Sequence, residues 1–127
     1  MATSTLGLHP PLFYTSLAYG LLSIGHTAKG LSQFTHPSTA SLPIWLRGAS
    51  KIGWYEGSVW FVIAGVLNYK WSQTGIVDMA DKTVAGLLTT LLFGAGASYW
   101  SVNDRPTGGL LFVVGALQAF GARQGLA

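Results

Sequence analysis

The sequence predicts an all-α fold: an integral membrane four-helix transmembrane bundle forming a single domain over residues 1–127. Three observations carry that prediction. Half of the chain is hydrophobic and only 9% is charged, whereas a typical soluble domain is about 25% charged. The charges are also confined: Met1 to Ala28, Gly57 to Tyr69, Thr83 to Asn103 and Pro106 to Ala122 carry none. A helix crosses a bilayer with roughly 20 predominantly apolar residues, and four such stretches leave only short connections. A soluble bundle would need a charged outer face on each helix, and 7 Lys+Arg with 4 Asp+Glu are too few to provide one.

The elements follow in order. Met1 to Pro11 reads as a polar, Pro-marked lead-in without the positive segment of a signal peptide. The first span is expected at residues 12–29. Gly30 to Ser50 is rich in Ser, Thr and Pro and reads as a loop, with an interfacial piece at Ile44-Trp45-Leu46. The second span is expected at 51–69, with Trp54, Tyr55, Tyr69 and Trp71 near its ends as an aromatic belt. Asp78 and Asp81 in the next turn are placed to cap the third helix. The third span is expected at 83–100. Asn103-Asp104-Arg105-Pro106 then reads as a turn holding a local Asp104–Arg105 ion pair, and the fourth span follows at 107–122. Gly86, Thr90, Gly94 and Ser98 recur every four residues, a small-residue seam that lets helix backbones approach closely. Gly115 and Ala119 repeat the spacing in the fourth span. Cations divide almost evenly between the two membrane faces, so the positive-inside rule sets no orientation. In a eukaryotic cell the expected location is an endomembrane such as the endoplasmic reticulum.

Composition excludes several functions. The net charge of +3 comes from scattered residues rather than a basic stripe, so no nucleic-acid partner is expected. Without Cys there is no disulfide framework, thiolate metal site or Cys nucleophile. His9, His26 and His36 are scattered, with no His-x-x-x-His or Glu-x-x-His pair, and neither metal nor cofactor is expected. The glycines lie inside apolar stretches, not in a phosphate-binding loop.

An ionisable group within lipid is costly and invites a functional reading. His26 lies near the end of the first expected span, and Glu56 lies more than one turn inside the second. The end of one span and the start of the next share a membrane face, so the two are expected at similar depth. Ser16, Tyr19, Ser23 and His26 fall on one helix face. A His–carboxylate pair holds a proton near neutral pH, and neighbouring aromatic faces stabilise a carbocation. Glu56 and His26 are therefore candidate catalytic residues, Glu56 as proton donor or base and His26 as its orienter or shuttle. Tyr19, Ser23, Tyr55, Trp60, Tyr99, Asn103, Asp104 and Arg105 are candidate substrate-binding residues. Such a site suits an isomerase, a cyclase or an epoxide-opening enzyme acting on a lipophilic substrate.

A purely structural alternative pairs Glu56 with Lys51 or Arg105, or leaves it at headgroup depth, and uses His26 to bond helices together. The protein is then a non-catalytic scaffold or accessory subunit, with the Gly86/Thr90/Gly94/Ser98 seam packed against a partner membrane protein. An enzyme requires an internal cavity reaching Glu56; a scaffold requires an exposed seam. The expected partners are the lipid bilayer, a lipophilic small molecule or a partner membrane protein, and a homo-oligomer, since four thin spans bury little surface.

In span layout, the chain resembles small four-helix integral membrane proteins: the DoxX-like proteins, the fungal ergosterol-pathway scaffold proteins and small membrane enzymes of fungal secondary metabolism. The likeness rests on Gly25-His26-Thr27-Ala28-Lys29-Gly30 at the close of the first span and on Arg47 to Trp60 at the opening of the second. It implies a four-helix membrane fold and carries over no catalytic residue.

Overall fold

The computed structural model describes residues 7–126, so the first six residues of the polar lead-in lie outside the described residues. Among the described residues the chain is all-α. It comprises α1 (Pro10–Phe34), α2 (Pro37–Ala40), α3 (Ile44–Thr74), α4 (Met79–Ser101) and α5 (Arg105–Gly125). The one extended pairing is a single parallel bridge between Ile76 and Leu126 among those residues.

Local chemistry sets the helix ends. Pro10 and Pro11 open α1, where a missing N–H costs nothing and φ is already helical. Pro37 stops its continuation, because the residue before a proline is pushed out of the helical region. His36 then caps the short α2 through its ring nitrogen, which accepts from Ser38 N–H at 3.2 Å. α3 ends at Gly75, whose φ of 75° suits a residue without Cβ. Asp78 caps α4 by accepting from Asp81 N–H at 2.8 Å, as its position predicted. Asp104 caps α5 by accepting from Thr107 N–H at 3.3 Å, with Pro106 in the first turn. Asn103 takes the left-handed φ of 68° that reverses the chain, a conformation Asn tolerates better than most residues.

Two expectations are corrected. The segment Gly30 to Ser50 is mostly helical rather than a loop: α1 runs on to Phe34 and α3 begins at Ile44, absorbing Ile44-Trp45-Leu46. Only Pro37 and Pro43 interrupt this stretch; beyond Pro43 nothing stops a helix, and Ser50 bonds back to the Leu46 carbonyl at 2.9 Å. The second correction concerns the spans. α1, α3, α4 and α5 contain 25, 31, 23 and 21 residues, or roughly 31–46 Å of helix. Among the described residues, however, no helix is long and apolar enough to cross a membrane. Polar residues distributed along the helices dilute them, notably Thr15, Ser23, His26 and Thr27 in α1 and Ser58, Asn68 and Ser72 in α3.

The main helix pairings are α1 with α3, α4 with α5, and α1 with α5. The core is Leu12, Tyr19 and Leu22 of α1, Ala64 and Trp71 of α3, Ala85, Leu88 and Leu92 of α4, and Leu111 and Val114 of α5, closed at one end by Ile76. α4 meets α5 where Gly96 faces Gly108: a Cβ on Gly108 would lie 2.8 Å from the Gly96 carbonyl oxygen. The expected close-packing seam is not at this contact. Gly86, Thr90, Gly94 and Ser98 are all exposed, and a Cβ on Gly86 or Gly94 would meet nothing within 4 Å. The four-residue repeat is real, but the packed face of α4 is the neighbouring one, which carries Ala85, Leu88, Leu92 and Gly96.

The apolar core also encloses polar side chains, and large apolar side chains lie on the surface. Thr15, Asn68, Ser72 and Gln118 are 0% exposed, while Leu21, Ile24 and Val113 are 71%, 69% and 67% exposed. The buried amides satisfy each other: Asn68 Nδ2 donates to Gln118 Oε1 at 2.9 Å, and Gln118 Nε2 donates to Asn68 Oδ1 at 3.0 Å. This reciprocal pair ties α3 to α5 inside the bundle.

Candidate functional site: a cavity at the His26 end of the bundle

The polar face of α1 does turn toward α3. Ser23 Oγ donates to the Ser58 carbonyl at 2.8 Å, and His26 Nδ1 lies 3.0 Å from Ser58 Oγ. Thr27 Oγ1 lies 2.9 Å from the same hydroxyl and 2.9 Å from the Ser23 carbonyl oxygen. The His26 ring stacks on Trp54 at 4.2 Å with 6° between planes and receives the edge of Phe61 at 5.3 Å. Trp54 Nε1 donates to the His26 carbonyl at 2.7 Å. The imidazole is thus held on two sides by aromatic rings and at one nitrogen by a hydroxyl.

One turn further along α1, Lys29 pairs with Asp104, and its ammonium also donates to the Thr107 hydroxyl. It stands 5.0 Å from the centre of the Tyr99 ring. The Lys29 ammonium and then the Thr107 hydroxyl hold the Asp104 carboxyl below its ordinary range, because both interactions favour the ionised form. These contacts tie α1 to the α4–α5 turn.

His26, Lys29, Tyr99 and Thr107 form the polar part of the wall of a cavity of about 330 Å³. The rest of the wall is apolar and comes from all four long helices, with Leu21, Leu22, Phe61, Leu91, Leu92, Leu110 and Leu111 contributing most of it. A predominantly apolar pocket of this size with a few converging polar groups is the usual form of a small-molecule site.

The cavity collects only part of the expected site. His26 and Tyr99 line it, and Asp104 stands behind Lys29. Ser23 supports the His26 network from outside the lining. Tyr19 is buried beside Phe61, and its hydroxyl finds no partner among the described residues. Tyr55 is half-buried against Phe34. Trp60 is exposed, and Asn103 is an exposed turn residue. Arg105 lies over Trp100 at 5.8 Å, so the local Asp104–Arg105 pair is replaced by Asp104–Lys29, which the helix cap on Asp104 orients.

Glu56 is exposed, lies outside the cavity lining, and makes no hydrogen bond or ion pair with Lys51, Arg105 or any other described residue. Lys51 reaches over Phe34 instead, at 6.0 Å.

Sequence reasoning missed Lys29, Ser58, Trp54, Phe61 and Thr107. Lys29 had a legible signal, since it continues the polar face of α1 three residues beyond His26. Among the described residues no group of three or more His, Asp or Glu side chains is placed to hold a metal ion. In comparisons with known proteins, no family model, curated protein or solved structure matches this chain.

Proposed function

We propose that this chain is a small membrane-embedded helical bundle that binds a lipophilic molecule in the cavity beside His26 and Lys29. The cavity carries the reading: it is walled mainly by leucine side chains, draws on four helices, and has its polar groups gathered together. Membrane embedding is supported by the large apolar side chains spread over the outside of α1, α3, α4 and α5, far beyond the single scattered hydrophobics of a soluble surface. Thr15, Ser58, Asn68 and Gln118 lower the hydropathy of their helices, yet all four are buried within the bundle. Lipid would meet only the outer side chains, as multi-helix membrane proteins with polar interiors allow. Any proton transfer in such a site falls to His26, because Glu56 is not part of the cavity wall.

One observation favours a second reading. The exposed Gly86/Thr90/Gly94/Ser98 face of α4 is what a scaffold would present to a partner helix. Purification from native membranes in mild detergent, with mass spectrometry of what accompanies the chain, separates the two. The cavity reading expects an equimolar apolar small molecule that is lost when Ala95→Phe fills the cavity. A stoichiometric protein partner without a small molecule would support the scaffold instead.

A further inference from the structure

The bundle is stepped at its His26 end. The α4–α5 turn stops level with Lys29, to which Asp104 is paired, and Trp54 of α3 crosses α1 at the neighbouring Gly30. α3 begins at Ile44, ten residues before Trp54, so it runs roughly 15 Å past that turn. α1 accompanies it only as far as Phe34, where Lys51 reaches over the ring. No main helix pairing involves α2, and the first two turns of α3 project beyond their neighbours. This overhang has its own chemistry. From Gly30 to Tyr55 the sequence carries Arg47 and Lys51 and no acidic residue. Lys29 and Lys70 are neutralised by Asp104 and Asp81, whereas neither Arg47 nor Lys51 has a carboxylate partner among the described residues. Four residues apart, the two cations share one face of α3. Trp45 and Ile52 share another, and Trp45 is 72% exposed. Glu56, the nearest acid in α3, lies five residues beyond Lys51 and about 140° around the helix from it.

We propose that this overhang is a docking surface for anionic lipid headgroups: Arg47 and Lys51 together take the phosphate of an acidic phospholipid, and Trp45 anchors the helix beside it. This rests on the membrane-embedded reading proposed above and names the lipid that the His26 end meets. The step sets the depth. With the α4–α5 turn at the edge of the hydrocarbon, Lys51 and Arg47 lie about 5 and 10 Å further out, across a headgroup layer about 5–8 Å thick. An exposed Trp belongs at that level, with its ring in the interface. Charge selects the lipid. A zwitterionic headgroup cancels its own phosphate with an ammonium, whereas an acidic lipid brings the net negative charge that two unpaired cations lack. The face that meets lipid chains is separate, since Trp45 and Ile52 point away from the side of α3 that carries Arg47 and Lys51.

The test uses the full-length chain carrying Trp54→Phe, Trp60→Phe, Trp71→Phe and Trp100→Phe, which leaves Trp45 as its one tryptophan. It is placed in mixed vesicles of phosphatidylcholine and phosphatidylglycerol at equal mole fraction, with bromines near the headgroup end of the chains of one lipid or the other. The expected result is quenching of Trp45 that corresponds to a roughly 5-fold or greater enrichment of phosphatidylglycerol, the attraction of one or more cations near an acidic surface. Adding Arg47→Gln and Lys51→Gln brings that enrichment to one while brominated phosphatidylcholine still quenches. The same preference is read without any tryptophan exchange by purifying the unaltered chain from such vesicles and measuring the retained lipids by mass spectrometry. Equal quenching and equal retention of the two lipids, or an enrichment that survives both glutamine substitutions, overturns the docking surface and leaves the membrane-embedded reading standing. Quenching by neither brominated lipid overturns that reading and the docking surface with it.

Discussion

Gly30 has no side chain because Trp54 occupies its place: a Cβ there would lie 2.4 Å from the indole nitrogen. Gly30→Ala therefore forces Trp54 off the His26 ring and away from the His26 carbonyl. The expected loss is about 1–3 kcal/mol, as for overpacked sites, with a shift in tryptophan emission; a denaturant melt followed by fluorescence measures both. A melt unchanged from the parent would mean that Trp54 does not cross α1 at this point. Asp104 makes a pH-dependent contribution. Its folded pKa lies below its ordinary value of 3.8 through Lys29 and Thr107, so it stabilises the fold above that value and the contribution fades as the pH falls through the lowered one. A thermal midpoint that falls more steeply below about pH 4 in the parent than in Asp104→Asn would display it; identical acid profiles would remove Asp104 from the account.

At this scale the sequence was half legible. Spacing on α1 placed Ser23 and His26 on one face, and that face meets α3, because a helix face can be read from residue numbers alone. Glu56 was misjudged because equal depth says nothing about direction around the axis. Ser58 faces α1, and Glu56, two residues earlier, sits about 200° around the helix.

Among the elements, the capped ends were the most readable features. Asp78, the Asn103-Asp104 turn and Pro106 are local signals and act locally. The helical start of α3 at Ile44 was missed because a Ser- and Thr-rich composition resembles a loop while only prolines break the helix. The small-residue seam shows a further limit. Spacing reveals that a face of α4 is small, and only the tertiary fold reveals which face meets α5. Gly108→Ala would place its Cβ 2.8 Å from the Gly96 carbonyl oxygen and 3.0 Å from the Trp100 backbone nitrogen, whereas Gly94→Ala meets nothing within 4 Å. The first is expected to destabilise the chain by roughly 1–3 kcal/mol. The second is expected to be neutral or slightly stabilising, as a helical Gly exchanged for Ala usually is. Paired thermal melts give the comparison, and equal midpoints would mean that Gly96 and Gly108 are not where the two helices cross.

Across the whole molecule, a few uncharged polar side chains are buried within an apolar core while many large apolar side chains lie on the outside. The Asn68–Gln118 pair is 0% exposed at both residues, and a pair of this kind is worth about 1 kcal/mol in a membrane environment. It also links α3 and α5 in one register. This arrangement was legible in outline from the sparse charge, but the pairing of particular amides across helices was not, since residues fifty apart carry no local signal of contact. The same arrangement explains how helices that individually fall short of a membrane span could together present an apolar exterior. The most direct test compares two variants, one retaining only Trp60 and the other only Trp71, in vesicles of lipids brominated in mid-chain. Trp60 is 62% exposed near the middle of α3, and Trp71 is 0% exposed. Strong quenching of Trp60 by the bromines, with Trp71 largely protected, is the result the membrane-embedded bundle requires. Quenching of Trp60 by aqueous iodide instead, with no response to brominated lipid, would contradict it.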